Sequence, residues 1–176
     1  MPSPVGHLLG GLAAGQLILP DRPGRRAPGL TALALVGAAS LLPDADFAWG
    51  RHNMETHSLG AAILAGLVVW GASRGREPRF ALACGLAWAS HVLFDWLGSD
   101  DAPPLGVMAL WPLTSDFYFA HACVFDPILR EYWRPDFTAR ILAAVVREVV
   151  LLGPLVLLLA WGRRRGIGAP RAPDPM

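Results

Sequence analysis

The chain is predicted to be all-α, a polytopic membrane helix bundle with about five transmembrane helices, on three observations. Of its 176 residues, 53% are hydrophobic and only 16% charged, which is too apolar for an ordinary soluble domain of this length. The apolar residues gather into five runs, near 5–19, 29–42, 57–73, 79–98 and 139–162. The third, fourth and fifth approach or exceed the ~20 residues that span hydrocarbon. Finally, the arginines are segregated between alternate runs rather than spread along the chain.

The first run contains no basic residue before Arg22, which the start of a secretory signal would supply, so it is read as a retained helix. It and the second run are short. They are expected either to cross by bilayer thinning and close packing or to form re-entrant helices. The pairs Gly6/Gly10 and Gly11/Gly15, at four-residue spacing, would let another helix approach closely. Arg22, Arg25 and Arg26 follow the first run; Arg74, Arg76 and Arg79 lie around the third-to-fourth connection; Arg163 to Arg165 follow the fifth. If all five runs span, these places share one side, which the positive-inside rule makes cytoplasmic. The N-terminus and the 43–56 and 99–138 segments then lie outside. Trp49 and Trp96 fall near the outer ends and Trp70 and Trp161 near the inner ends, where amphipathic rings prefer to sit.

The 99–138 segment is too long for a mere connection. Its aromatic stretch from Phe117 to Trp133 is predicted to form interfacial helices roofing the bundle. Residues 1–162 are read as one membrane-embedded domain, and 163–176, rich in Arg, Pro and Gly, as a disordered cytoplasmic tail. A net charge of +1 argues against nucleic acid as a partner, since phosphate recognition needs a concentrated basic face. The expected partner is the lipid bilayer, with no protein partner indicated. Cys84 and Cys123 have no paired spacing and suggest neither a disulfide framework nor a CxxC metal site.

With this topology the chemistry-bearing side chains collect toward the outer face. His7 opens the first run, Asp44 and Asp46 close the second, and His57 opens the third. His91 and Asp95 are four apart in the fourth and share one helix face. An acid inside the bilayer costs ~2.5–3.5 kcal/mol on insertion scales, and a divalent cation would offset that cost. Imidazole nitrogens and carboxylate oxygens suit Zn²⁺, one ion or two, or Mn²⁺ if more oxygen enters the shell. The alternative for His91 and Asp95 alone is a hydrogen-bonded pair that packs helices.

Asp46 is read either as a second carboxylate ligand or as an acceptor in its own turn, and Asp46 or Glu55 as the general base. His52 and His121 fall in outer segments, as solvated side chains or as contacts to metal or substrate. Arg147 pairs with Glu148 or clamps an anionic substrate.

Leu41-Leu42-Pro43-Asp44-Ala45-Asp46, Thr56-His57-Ser58, Ser90-His91-Val92-Leu93-Phe94-Asp95 and Leu110-Trp111-Pro112-Leu113 together resemble the YdjM family. That family is described as bacterial inner-membrane, LexA-binding, metal-dependent hydrolases. The resemblance runs from His7 to about Leu113. Between His52 and Thr56 this chain has Asn53-Met54-Glu55 where the family commonly carries an HRG-type stretch. More distantly, the order His7, Asp44, His57, His91, Asp95 is similar to the ligand order of zinc phospholipases C and P1-type nucleases. That similarity implies that Asp44, His57 and His91 hold one ion, that Asp95 bridges to another, and that His7 belongs to the second. It makes His121 and Asp126 candidates for later ligands, while the N-terminal Trp ligand of those enzymes has no counterpart.

The function expected from these readings is hydrolysis of a phosphoester or lipid-type ester at the outer membrane interface, through metal-activated water. An amphiphilic or phosphate-containing substrate is implied. HExxH, GxSxG and GxxxxGK[ST] signatures are absent. The rivals are a noncatalytic metal-binding or partner-binding scaffold and, less favoured, a transporter, which would need ionisable groups through both halves of the bilayer.

Overall fold

In a computed structural model, residues 1–22, 24–100, 103–129 and 131–166 are described. Among them the protein is all-helical: α1 (Pro4–Ile18), α2 (Leu30–Ala39), a 3₁₀ helix (Leu42–Trp49), α3 (Leu59–Ala72), α4 (Pro78–Trp96) and α5 (Phe137–Arg164). Boundaries follow local chemistry. Ser3 caps α1 by accepting from the amides of Val5 and Gly6, with Pro4 at the first turn. Ser58 caps α3 by accepting from Ala61 N–H, and Pro78 opens α4.

The packing is centred on α1 and α4. These two lie against each other; α3 leans on α4, α5 on α1, and α2 on both. The glycines of α1 make this central position feasible. A Cβ on Gly10 would lie 2.6 Å from the Phe94 ring of α4, and one on Gly11 would lie 2.6 Å from Ser40 Oγ and 3.0 Å from Gly37 Cα. The buried cluster of Ala14, Leu19, Val36, Ala83, Cys84 and Ala87 is built mostly from small side chains. The large apolar ones point outward: Leu64, Val68, Leu151, Leu157 and Leu158 are all largely exposed. Such an inside-out pattern suits hydrocarbon surroundings rather than water.

Helix α5 is tied to both ends of α1. Near its middle the buried Glu148 carboxylate accepts from the amide of Ser3 at 2.6 Å and from the Ser3 hydroxyl. At its far end the buried Arg163 donates to the carbonyls of Gln16 and Leu19 and pairs with Asp21 at 2.6 Å. That guanidinium satisfies carbonyls that the end of α1 leaves without intrahelical partners. Ala144, Glu148 and Leu152 form the buried stripe of α5, at four-residue spacing.

Two expectations change. Among the described residues only α5, 28 residues long, is by itself long and apolar enough to cross a membrane; α2 and the 3₁₀ helix pass that test only as a pair, bent by 41°, and α3 is apolar but shorter. The structure therefore shows a helical bundle with one clear span among the described residues, and the five-span arrangement stays an expectation. The aromatic stretch after α4 forms no helix among the described residues. Instead it runs back along the end of α4, where Ala120 and Val124 donate to the carbonyls of Trp96 and Leu97. Pro103, Pro104, Gly106, Pro112 and Pro127 break helical hydrogen bonding at short intervals, and the α4 terminus supplies acceptors in its place. The helix α5 continues through Arg164, two residues into the segment expected to be a tail; residues 167–176 lie outside those described.

Gly11→Val should destabilise the protein by about 1–3 kcal/mol through overpacking against Ser40 and the α2 backbone. Gly71→Ala, where a Cβ meets nothing within 4 Å, should stabilise it by roughly 0.5–1 kcal/mol. Thermal unfolding in detergent reads both.

Candidate metal centre

Four elements deliver the cluster. His7 comes from the second turn of α1, Asp44 and Asp46 from the 3₁₀ helix, His57 from the residue before the α3 cap, and His91 and Asp95 from successive turns of α4. The 3₁₀ helix follows from Pro43 at its second position and short-range closure, and its tighter winding turns Asp44 and Asp46 toward different neighbours. His7, His57, His91 and Asp95 are at most 1% exposed.

The donor atoms converge. Nε2 of His91 lies 3.1 Å from Nε2 of His57 and 3.0 Å from Oδ2 of Asp95. Nε2 of His57 lies 3.4 Å from Asp95 Oδ2 and 3.6 Å from Asp44 Oδ1, and the latter is 3.5 Å from Nε2 of His91. Bonds of 2.0–2.2 Å to a tetrahedral zinc imply ligand–ligand edges of about 3.3–3.5 Å, close to this set. His7 stacks on the His91 ring with centroids 3.6 Å apart and points Nε2 at Asp95 Oδ1, 3.4 Å away. His7, Asp44 and His91 therefore form a second overlapping triad beside His57, His91 and Asp95.

Tautomers follow from what lies behind each ring. Nδ1 of His91 is 2.7 Å from the carbonyl oxygen of Ser40, which only accepts, so this nitrogen carries the proton and Nε2 presents a lone pair. Nδ1 of His57 is 3.0 Å from Asp46 Oδ2 and donates to that carboxylate. Two imidazole lone pairs and two carboxylate oxygens then face one another in a buried space. Both oxygens of Asp95 are buried without a hydrogen-bond donor, which is costly unless a cation joins them. The donor set fits a divalent metal ion, with the orienting carboxylate and carbonyl behind the imidazoles that such sites use.

The groups outside the α-helices show the same electrostatics. Burial opposes ionisation of Asp44 and Asp46, yet with a proton on Nε2 in place of a metal ion, hydrogen bonds from charged His57 and His91 to the first, and from His52, His57 and Thr56 to the second, hold both well below the usual carboxylate range. Burial likewise opposes the charged form of His57, but Asp44 and Asp46 outweigh it and raise its pKa above the ordinary imidazole value. A positive charge, whether proton or metal, is what this pocket stabilises.

The other sequence candidates are distributed differently. Asp46 is fully buried behind His57 and accepts from Thr56 and from His52 Nδ1 at 2.9 Å, so it orients imidazoles and does not face the centre as a base. His52 stands beside the cluster, within ligand distance of Asp44 and His57 as a third group. Glu55 pairs with Arg51 near the surface. His121 is exposed and packs edge-on against Phe119. Arg147 does not pair with Glu148: it bonds Asp126 at 2.8 Å, while Glu148 holds Ser3. The structure thus gathers His7, Asp44, His52, His57, His91 and Asp95, backed by Asp46, and leaves Glu55, His121, Asp126 and Arg147 to other partners. Sequence reading missed Ser40, whose carbonyl fixes His91 and whose hydroxyl donates to the carbonyls of His7 and Gly37. A lone polar residue ending the apolar run before Leu-Leu-Pro-Asp was its only signal.

Asp44 is the least enclosed member, with its side chain 27% exposed, and it opens onto a cavity of about 230 Å³. A helical, lipid-facing bundle with a buried His/Asp cation centre at one end defines a membrane protein built around a metal-type site. The family model described as YdjM inner membrane protein matches residues 1–166, and the chain belongs to that family. Neither the curated proteins nor the solved structures contain a match to it.

His91→Ala and Asp95→Asn should each abolish tight binding of a divalent ion to purified protein. Asp46→Asn, which leaves the ligands in place but removes the carboxylate behind His57, should weaken affinity about 10–100-fold. Elemental analysis and competition with a chromogenic chelator measure both effects.

Proposed function

We propose that the protein is a multi-pass inner-membrane, metal-dependent hydrolase acting on a phosphoester or lipid-type ester at the outer membrane interface. The observation that carries this reading is a buried set of lone pairs and donor-free carboxylate oxygens that opens to the exterior through Asp44 alone among its ligands. His7, Asp44, His57, His91 and Asp95 would hold the ion, Zn²⁺ or Mn²⁺ by donor type, with His52 at the margin. A divalent cation there supplies Lewis acidity, polarising a phosphoryl or carbonyl oxygen and lowering the pKa of water to about 7. The chain's own residues bind, orient and exclude. Ser40 and Asp46 fix the two central imidazoles, His7 and Asp95 close the floor, and Asp44 sits where substrate and water arrive. Hydrolysis consumes one water and gives an acid and an alcohol.

Placement supports the membrane half of the reading. The cluster lies at the opposite end of α1 from Arg22, Arg25 and Arg26, and at the opposite end of α4 from Arg79. The positive-inside rule then puts the site on the periplasmic side and the end of α5 in the cytoplasm. Between the Arg163–Asp21 pair at the inner end and the His/Asp cluster at the outer end, the buried core of Ala14, Val36, Ala83 and Ala87 carries no charged side chain among the described residues, which disfavours transport. A scaffold with a structural metal would have no use for a ligand at a cavity wall.

Metal-reconstituted protein should hydrolyse a generic phosphodiester or ester substrate. Activity should disappear with a chelator and return with Zn²⁺ or Mn²⁺, and it should fall at least 10²-fold in His57→Ala and Asp95→Ala. Bound metal without turnover on either substrate class would instead identify a scaffold.

A further inference from the structure

The cavity in front of Asp44 has a wall chemistry that bears on what the site accepts. Met1 and Pro2 line it just before α1 and Pro4 at its start, Phe47 from the 3₁₀ helix, and Pro127 and Ile128 from the segment after α4. Arg147, through its bond to Asp126, ties that last segment to α5 beside the cavity. Since His7, His57, His91 and Asp95 are sealed, any group reacting at the centre must pass these walls. Three of the six are prolines, which carry no backbone N–H, and the Met1 ammonium donates to the Ser99 carbonyl, so the walls offer few donors to the hydroxyls of a sugar or nucleoside. The polar side chains at the rim are carboxylates, Asp44 and Asp100, the latter accepting from Asn53 at 3.2 Å. Phe47, on the cavity wall, is 53% exposed, as aromatic residues are at a lipid–water interface.

We propose that this cavity seats a hydrocarbon group attached next to the scissile bond, so that the substrate is an ester of an aliphatic alcohol drawn from the membrane interface rather than a sugar or nucleoside phosphate. The proposal rests on the metal-dependent hydrolase reading and narrows its substrate class. Ile128 and Phe47 are specificity-determining contacts, and each methylene they bury strengthens binding about fourfold.

Alkylphosphonates test it without requiring turnover. The full chain in detergent is loaded with Co²⁺, its uptake is measured, and the visible cobalt spectrum is titrated with methylphosphonate and butylphosphonate. Butylphosphonate should bind at least tenfold more tightly than methylphosphonate. Ile128→Ser and Phe47→Ala should each reduce that ratio to about threefold or less with cobalt content unchanged. Equal affinities, a preference that survives both substitutions, or no spectral response to either phosphonate would overturn the hydrocarbon seat while leaving the metal centre standing. Failure to take up cobalt would overturn the hydrolase reading and this one with it.

Discussion

Everything in this fold is arranged around an electrostatic conflict that only a cation relieves. Two imidazoles and two carboxylates converge with nitrogen–nitrogen and nitrogen–oxygen separations of 3.0–3.6 Å in a space almost closed to water. A carboxylate in a low-dielectric interior is costly unless paired, and with Nε2 of both rings unprotonated neither Asp95 oxygen has a donor to quiet it. The backing groups, Ser40 carbonyl and Asp46 carboxylate, prevent the rings from turning away and donating their way out. Once the tautomers are locked, the cluster must hold a positive charge or come apart.

The rest of the architecture keeps it from coming apart. The ligands sit on four elements that would separate unless α1 approached α4 and α2 at backbone distance, and glycine at positions 10 and 11 permits that approach. Helix α5 contributes no ligand, yet through Glu148 it secures Ser3, the cap of the helix that carries His7. Its other tie, Arg163 on the α1 carbonyls, fixes the opposite end. A single long apolar helix thus serves as a strut for a shorter one that is too polar at its start and too glycine-rich to stay docked on hydrophobic contact alone.

Spacing made part of this legible. His91 and Asp95 had to share a face because four residues make about one helical turn, and the ordered Asp, His and His-x-x-x-Asp pattern pointed to one end of a bundle. Long-range partner choice was not legible. Arg147 and Glu148 are neighbours in sequence, but on a helix adjacent residues diverge by 100°, so one reaches Asp126 outside and the other Ser3 inside. The aromatic stretch from Phe117 looked like an interfacial helix because its composition suits an interface, whereas its backbone is taken up by the unpaired carbonyls at the end of α4.

Sequence by itself determined the helical class, the apolar surroundings and the ligand types, because these depend on periodicity, composition and side-chain chemistry, which are local. Tertiary structure decided which acid faces the His/Asp cluster's centre and which stands behind an imidazole. Asp44 and Asp46 are two residues apart and chemically identical, and only the 3₁₀ winding and the positions of His52 and His57 send one to the cavity wall and bury the other. The roles of a carboxylate are set by what packs against each of its oxygens, and that information is carried by contacts between distant elements.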